Sequence, residues 1–213
     1  MATTEMRLLI FDLGGVLIHL EFDRLLTRWG IPHEHRAEFN TNFMNWHVHH
    51  DFEKGLISEA EFFTALKNYL QNSINSPLNM LPKQDLIDSW NSLLGAPVTG
   101  ASELIQQVLP STQVHLLSNT NQTHIQYCKD HNYPFLQDLH HCWFSYDLGA
   151  RKPNLDIYEL VTKKTQIPES QILFIDDNLD NVTTAKKHGW HSEQGSPSVV
   201  RLEEILKKYH LVK

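Results

Sequence analysis

The chain has 213 residues, 41% of them apolar and 20% charged, an ordinary balance for a folded globular protein that excludes disordered and fibrous classes. A formal charge of -7 with histidines neutral repels nucleic acid, and no Lys/Arg run is longer than a pair, so no DNA or RNA partner is expected. Its two cysteines, Cys128 and Cys142, are too few for a disulfide scaffold and lack a metal-ligand spacing. The opening MATTEM has no basic, apolar leader pattern and no apolar run approaches membrane-spanning length, so a cytoplasmic protein without a membrane partner is expected.

In chain order, RLLIFDLGGVLIHL begins with an apolar strand that delivers Asp12 to its end. FDRLLTRWG then reads as a helix stopped at Gly30, PHEHRAEFNTNFMNWHVHHDFEKG as helix stopped at Gly55, and SEAEFFTALKNYL as a helix opened by a capping box, Ser58 with Glu61. NSINSPLNMLP is a polar loop, and KQDLIDSWNSLL one more helix, stopped at Gly95. From about Ala101 strand and helix alternate: helix SELIQQVL, strand VHLLS, helix THIQYCK, strand HCWFS, helix NLDIYELVTKK, strand QILFID, helix NLDNVTTAKKHG and a last helix in PSVVRLEEILKKY.

Buried strands joined by helices require a parallel sheet covered on both faces, so the core is doubly wound α/β. The first strand is separated from VHLLS by roughly 100 residues, whereas a strand-helix-strand unit needs about 30. The surplus predicts an all-helical insertion over 17–100, with residues 1–16 and 101–213 forming a discontinuous core. Such an insertion sits over the carboxyl edge of the sheet, where α/β folds bind ligands.

Polar residues end three of the core strands: Asp12, then Ser118-Asn119-Thr120, then Asp176-Asp177. A parallel sheet puts these ends on one edge, and the loop GARKPN adds Lys152, with Pro153 suited to the first turn of the next helix. A strand-ending Asp alone is an ordinary turn former or N-cap. Three carboxylates in one crevice, however, raise one another's pKa unless a cation intervenes, and Mg²⁺ takes one or two carboxylates plus a substrate phosphate. A hydroxyl at Ser118, amides at the next helix start and the Lys152 ammonium suit that phosphate.

The ordered motifs FDLGGVL, LLSNT, RKP and FIDDNLDN resemble the four signatures of the haloacid dehalogenase superfamily, and the insertion resembles its C1-type cap. The resemblance covers Met6 to about Gly189. It implies that Asp12 is a nucleophile forming an aspartyl-phosphate, and that Ser118, Asn119 and Lys152 bind the phosphoryl group. It further implies that Asp12, Asp176 and the Gly14 backbone carbonyl ligate Mg²⁺, with Asp177 ligating it or orienting Lys152. Within the superfamily, the motifs look most like small bacterial phosphatases acting on α-D-glucose 1-phosphate and related sugar phosphates, so a small phosphorylated metabolite is the expected partner.

The same resemblance places a second Asp, the general acid and base, where this chain has Gly14. Its loss removes a contribution of about 10²- to 10⁴-fold in rate. Three readings follow: a phosphatase whose substrate has a good leaving group or whose proton is handled by His19, Glu21, Asp23, His47, His49, His50 or Asp51; a weakly catalytic phosphate- and metal-binding protein; or a metal-independent dehalogenase. The last has no use for Asp176-Asp177.

The histidines of WHVHHD lack the i, i+4 spacing of a helical zinc pair and read as a polar face, from which one of them or Asp51 could meet a sugar hydroxyl. Asn178 reads as a helix N-cap, and Asn181 as a candidate for the metal's outer shell. Trp29, Trp46, Trp90 and Phe62-Phe63 read as the apolar core of the insertion.

Overall fold

The computed structural model describes residues 5–74, 82–108 and 110–213. Along the chain come β1 (Leu8–Phe11), β2 (Ile18–Leu20), α1 (Phe22–Arg28), α2 (Arg36–Met44), α3 (His47–Glu53), α4 (Glu59–Ile74), α5 (Lys83–Asn91) and β3 (Leu94–Pro97). There follow α6 (Ala101–Gln106), β4 (Gln113–Ser118), α7 (Gln122–Asp130), α8 (Phe135–Asp138), β5 (His141–Phe144), α9 (Ser145–Leu148), α10 (Leu155–Thr165), β6 (Ile172–Asp176), α11 (Leu179–His188), β7 (His191–Gln194) and α12 (Val199–Lys208).

Five parallel strands form one sheet in the order β5-β4-β1-β6-β7. β1 is fully buried on both faces: Leu8 and Ile10 join Tyr158 and Phe174 on one side, while Leu9 and Phe11 join Ile105, Ile125 and Leu206 on the other. This explains why the strand reads as a continuous apolar run rather than an alternating one. The chain order reverses at β1, which is flanked by β4 and β6, so the ligand-binding crevice of such a sheet opens at its end. Register makes the placement specific. Phe11 is level with Leu116 and Ile175, so the next residue along, Asp12, comes level with Asp176.

The helices α1 to α5 bury a separate apolar cluster. Trp29 and Trp90 stack within it at 6.0 Å and 4°, and Phe52 stacks on Phe62 at 4.1 Å. Trp29, Trp90, Phe62 and Phe63 are core residues as expected, and Trp46 is only partly buried against them. The capping box forms: Ser58 donates its amide to Glu61 at 2.8 Å, and the Glu61 amide reaches Ser58 Oγ at 3.3 Å. The helix expected up to Gly55 is two, broken where Trp46 adopts an extended backbone between α2 and α3. Most of the expected loop NSINSPLNMLP, residues 75–81, lies outside the described residues.

The insertion is not all helical. β2 and β3 pair antiparallel at its root, Ile18 with Pro97 and Leu20 with Leu94, where the chain leaves and re-enters the core. Gly95 therefore does not stop a helix; α5 ends at Asn91, and Gly95 lies in β3, where an added Cβ would meet the His19 carbonyl oxygen at 2.8 Å. Such short strands without an apolar run carry too little pattern to read locally. β7, with the polar sequence HSEQ, is an edge strand beside β6 and was invisible for the same reason. Pro153 is not in a first helical turn either: it follows Lys152 through a cis peptide bond and precedes Asn154, the N-cap of α10.

The turn between α3 and α4 touches the core at Gly55, which has φ +68°, and a Cβ there would lie 2.4 Å from the Tyr146 carbonyl oxygen. Gly55→Ala is expected to destabilise the protein beyond the roughly 1–3 kcal/mol of left-handed backbone strain. Gly30→Ala, at φ +72° with open space around it, should show the strain alone. Urea unfolding of both variants checks this, and equal losses would remove the contact with Tyr146 from the account.

Candidate active site

Three strand ends and one loop build the site. Asp12 follows β1, Ser118 ends β4, Asp176 ends β6, and Lys152 arrives on the segment between α9 and α10. The Lys152 ammonium is 1% exposed and makes three hydrogen bonds, donating to Asp12 Oδ1 at 2.8 Å, Asp176 Oδ2 at 2.7 Å and the Leu117 carbonyl at 2.9 Å. An ammonium has three donors, so none is left over.

Each carboxylate is held further. Asp12 Oδ1 also accepts from the Leu13 amide at 2.7 Å. Asp176 accepts from the Asn178 amide at 2.8 Å and, on both oxygens, from Asn181 Nδ2 at 3.0 Å. Asn178 is the N-cap of α11, as expected, its side chain accepting from the Asp180 amide at 2.8 Å. Asp177 is more exposed, and its carboxylate lies against Gly15, where a Cβ would be 2.3 Å from Asp177 Oδ2; Gly15 also has φ +74°. Of the acidic pair it is thus Asp176 that bonds Lys152, and the orienting role considered for Asp177 falls to its neighbour.

The Asn119 side chain is engaged with the loop that carries Lys152. Its side-chain amide clamps the Lys152 backbone from both ends, Oδ1 accepting from the Lys152 amide and Nδ2 donating to the Lys152 carbonyl, each at 2.8 Å. It positions the lysine. Ser118 is 2% exposed and lines the crevice; among the described residues its hydroxyl makes only a long 3.4 Å contact to the Asn119 carbonyl.

Electrostatics follow from this crowding. Burial pushes the Asp12 carboxyl up to about 7, with Asp176 and Asp177 adding to the rise and Lys152 opposing it. Asp177 is raised as well, by burial and by Asp176. For Lys152 burial acts downward, but Asp12 and Asp176 outweigh it and hold the ammonium above its ordinary value.

One ligand oxygen from each of Asp12, Asp176 and Asp177 can be found within 4.8 Å of the others. This all-oxygen set, with one ammonium against three carboxylates, fits a hard divalent cation. Asn181 supplies a second sign: its Oδ1 is buried in the crevice without a partner among the described residues. Gly14 lines the same crevice.

A cavity of about 460 Å³ joins this crevice to the insertion, lined on the far side by Phe43, His49, His50, Glu53 and Trp90. Of the candidate proton carriers, His49 and His50 line it, whereas His19, Glu21, Asp23, His47 and Asp51 do not. Glu53, Arg151 and His124 also line it and were missed in the sequence. The i, i+4 spacing of His49 and Glu53 was the available signal for the first of these.

The haloacid dehalogenase-like hydrolase family matches the chain over residues 6–189. The chain belongs to that family. It is similar to a D-ribitol-5-phosphate phosphatase of Bacteroides thetaiotaomicron, 23% identical over 197 residues that cover 87% of this chain and 90% of the relative. Among solved structures, a haloacid dehalogenase family enzyme from B. thetaiotaomicron matches with TM-score 0.75 at 27% identity, covering 89% of this chain and 93% of that one. The same enzyme is also known with magnesium and inorganic phosphate bound. A predicted hydrolase of this family from Porphyromonas gingivalis matches with TM-score 0.79 at 26% identity over 95% of this chain and 98% of that one. Among the described residues no helix is long and apolar enough to cross a membrane.

The raised Asp12 makes stability depend on pH. Below about pH 4 the carboxyl is protonated folded or unfolded; between there and about 7 only the folded state keeps the proton, so in metal-free protein its contribution is lost as pH rises. Asp12→Asn, which cannot ionise, should gain on the wild type by up to about 1.4 kcal/mol per pH unit across that window. Urea titrations in chelator at several pH values check this. A constant difference between the two proteins would contradict it.

Proposed function

We propose that this hydrolase is a Mg²⁺-dependent phosphatase of small phosphomonoesters, acting through an aspartyl-phosphate on Asp12. The observation that carries the reading is the acidic trio around a single buried ammonium. Asp12, Asp176, Asp177 and the Gly14 carbonyl would hold Mg²⁺, which when bound supplies charge to the phosphoryl oxygens and to the nucleophile. Halide displacement has no use for such a set.

The protein's own residues divide the remaining work. Asp12 attacks phosphorus, the bond from phosphorus to the ester oxygen breaks, and that oxygen takes its proton from solvent water; a water then attacks the phosphorus, gives its proton up to solvent and frees Asp12. Lys152 keeps Asp12 in place and contributes positive charge. With all three donors engaged, it can touch a phosphoryl oxygen only by exchanging one of its present partners. Ser118 supplies a hydroxyl at the cavity wall. The helical insertion acts as the cap that excludes water and selects the substrate.

Gly14 gives no side chain to protonate the leaving group, which suits an ester whose alcohol leaves easily, as the anomeric oxygen of glucose 1-phosphate does. On that ground we favour a sugar 1-phosphate; a polyol phosphate, which leaves as an ordinary primary alcohol, is supported separately by the D-ribitol-5-phosphate phosphatase relative. The same glycine supports the second reading, a phosphate-binding protein with little turnover.

Phosphate release from glucose 1-phosphate, glucose 6-phosphate and phenyl phosphate decides between the two. The phosphatase requires release that stops on chelation and in Asp12→Asn; binding of Mg²⁺ and phosphate without release would leave the binding protein. The three atoms nearest a Cβ at position 14 all belong to the Leu20 side chain, at 3.0–3.3 Å, which is flexible enough to yield. Gly14→Asp should accelerate glucose 6-phosphate about tenfold or more over its effect on phenyl phosphate, because acid catalysis helps the poorer leaving group. Equal effects on both would sink the leaving-group explanation.

A further inference from the structure

Glu53, on α3, is buried at a position that phosphoryl transfer does not use. Its Oε2 accepts from Arg151 Nε at 2.9 Å, and its Oε1 lies 3.6 Å from His49 Nε2. Arg151 directly precedes Lys152, so the ion pair ties the insertion to the segment that carries the central lysine. All three side chains line the cavity that also contains Asp12.

Among the described residues their remaining nitrogens have no hydrogen-bond partner. Arg151 uses Nε alone, and its two terminal nitrogens find no acceptor among the described residues. His49 Nδ1 is buried and equally unpartnered. Burial lowers the His49 pKa, with Glu53 pulling the other way. A neutral ring with its Nε2 hydrogen toward the Glu53 carboxylate has Nδ1 as an acceptor. Aromatic faces flank it: Phe43 stacks on His49 at 4.9 Å, and Trp90 crosses it at 5.7 Å and 84°.

A forked pair of donors, one acceptor and aromatic walls together fit a carbon chain bearing hydroxyls. Glu53 also neutralises Arg151, which disfavours a second anion in that place. Resting on the phosphatase reading, we propose that Glu53 positions Arg151 and His49 as a subsite for a hydroxylated leaving group. His49 Nδ1 accepts a hydroxyl hydrogen, and the Arg151 terminal N–H groups donate to a neighbouring hydroxyl oxygen. A site built to hydrogen-bond hydroxyls discriminates strongly against substrates that lack them.

The test is the ratio of kcat/KM for ribitol 5-phosphate to that for phenyl phosphate, whose leaving group offers no further hydroxyl. His49→Phe keeps the ring and its stacking but removes the acceptor; Arg151→Lys keeps the charge but removes the fork. In each the ratio is expected to fall by about tenfold or more, mainly through KM for the polyol phosphate. Glu53→Gln should lower it in the same direction. Turnover of phenyl phosphate shows that a variant is folded, and a general structural defect would lower both substrates together and leave the ratio in place. A ratio within about threefold of wild type in both His49→Phe and Arg151→Lys overturns the proposal. A wild type that releases phosphate from neither compound, or an Asp12→Asn protein as active as wild type, would instead overturn the phosphatase reading on which it rests.

Discussion

The buried Lys152 ammonium is the interaction on which the site depends. It lies between Asp12 and Asp176, carboxylates that follow and end adjacent parallel strands, and its third hydrogen goes to the carbonyl of Leu117 in a third strand. Taking three charges out of water is expensive, and close ion pairing offsets it only when the geometry satisfies every donor. Here it does. That demand explains the support around the lysine, including the two-bond clamp of Asn119 on its backbone and the bonds of Asn178 and Asn181 to Asp176.

The balance is nonetheless incomplete. One ammonium faces three carboxylates, and the excess negative charge appears as a carboxyl at Asp12 raised to about 7. A divalent cation would lower that carboxyl again and leave it ionised as a nucleophile must be. On the reading proposed above, the features that destabilise the metal-free site are those that would prepare it for metal and phosphate.

How much of this could be read from the sequence depends on range. Strands β1, β4 and β6 were legible because burial on both faces makes them largely apolar runs, and Asp12, Ser118 and Asp176 because each stands where such a run stops. The β2–β3 ribbon and the edge strand β7 were not, since their strands are short and two of them owe their existence to a partner far along the chain. Asn119 was legible as a site residue but not as a clamp, because its partner Lys152 is 33 residues away. Likewise the Glu53–Arg151 pair spans 98 residues, and nothing local in either segment announces it. Gly14 shows the reverse case: an absence at a known spacing was visible at once, while what its Cβ would meet needed the fold.

The central claim is that Asp12 carries the phosphoryl group during turnover. Rapid acid quenching of the Mg²⁺-loaded protein with a substrate labelled in its phosphate, followed by peptide mapping, tests it most directly. The account predicts label on the peptide containing Asp12, released by hydroxylamine as an acyl phosphate is. Steady release of phosphate with no label on the protein at any quench time would contradict it.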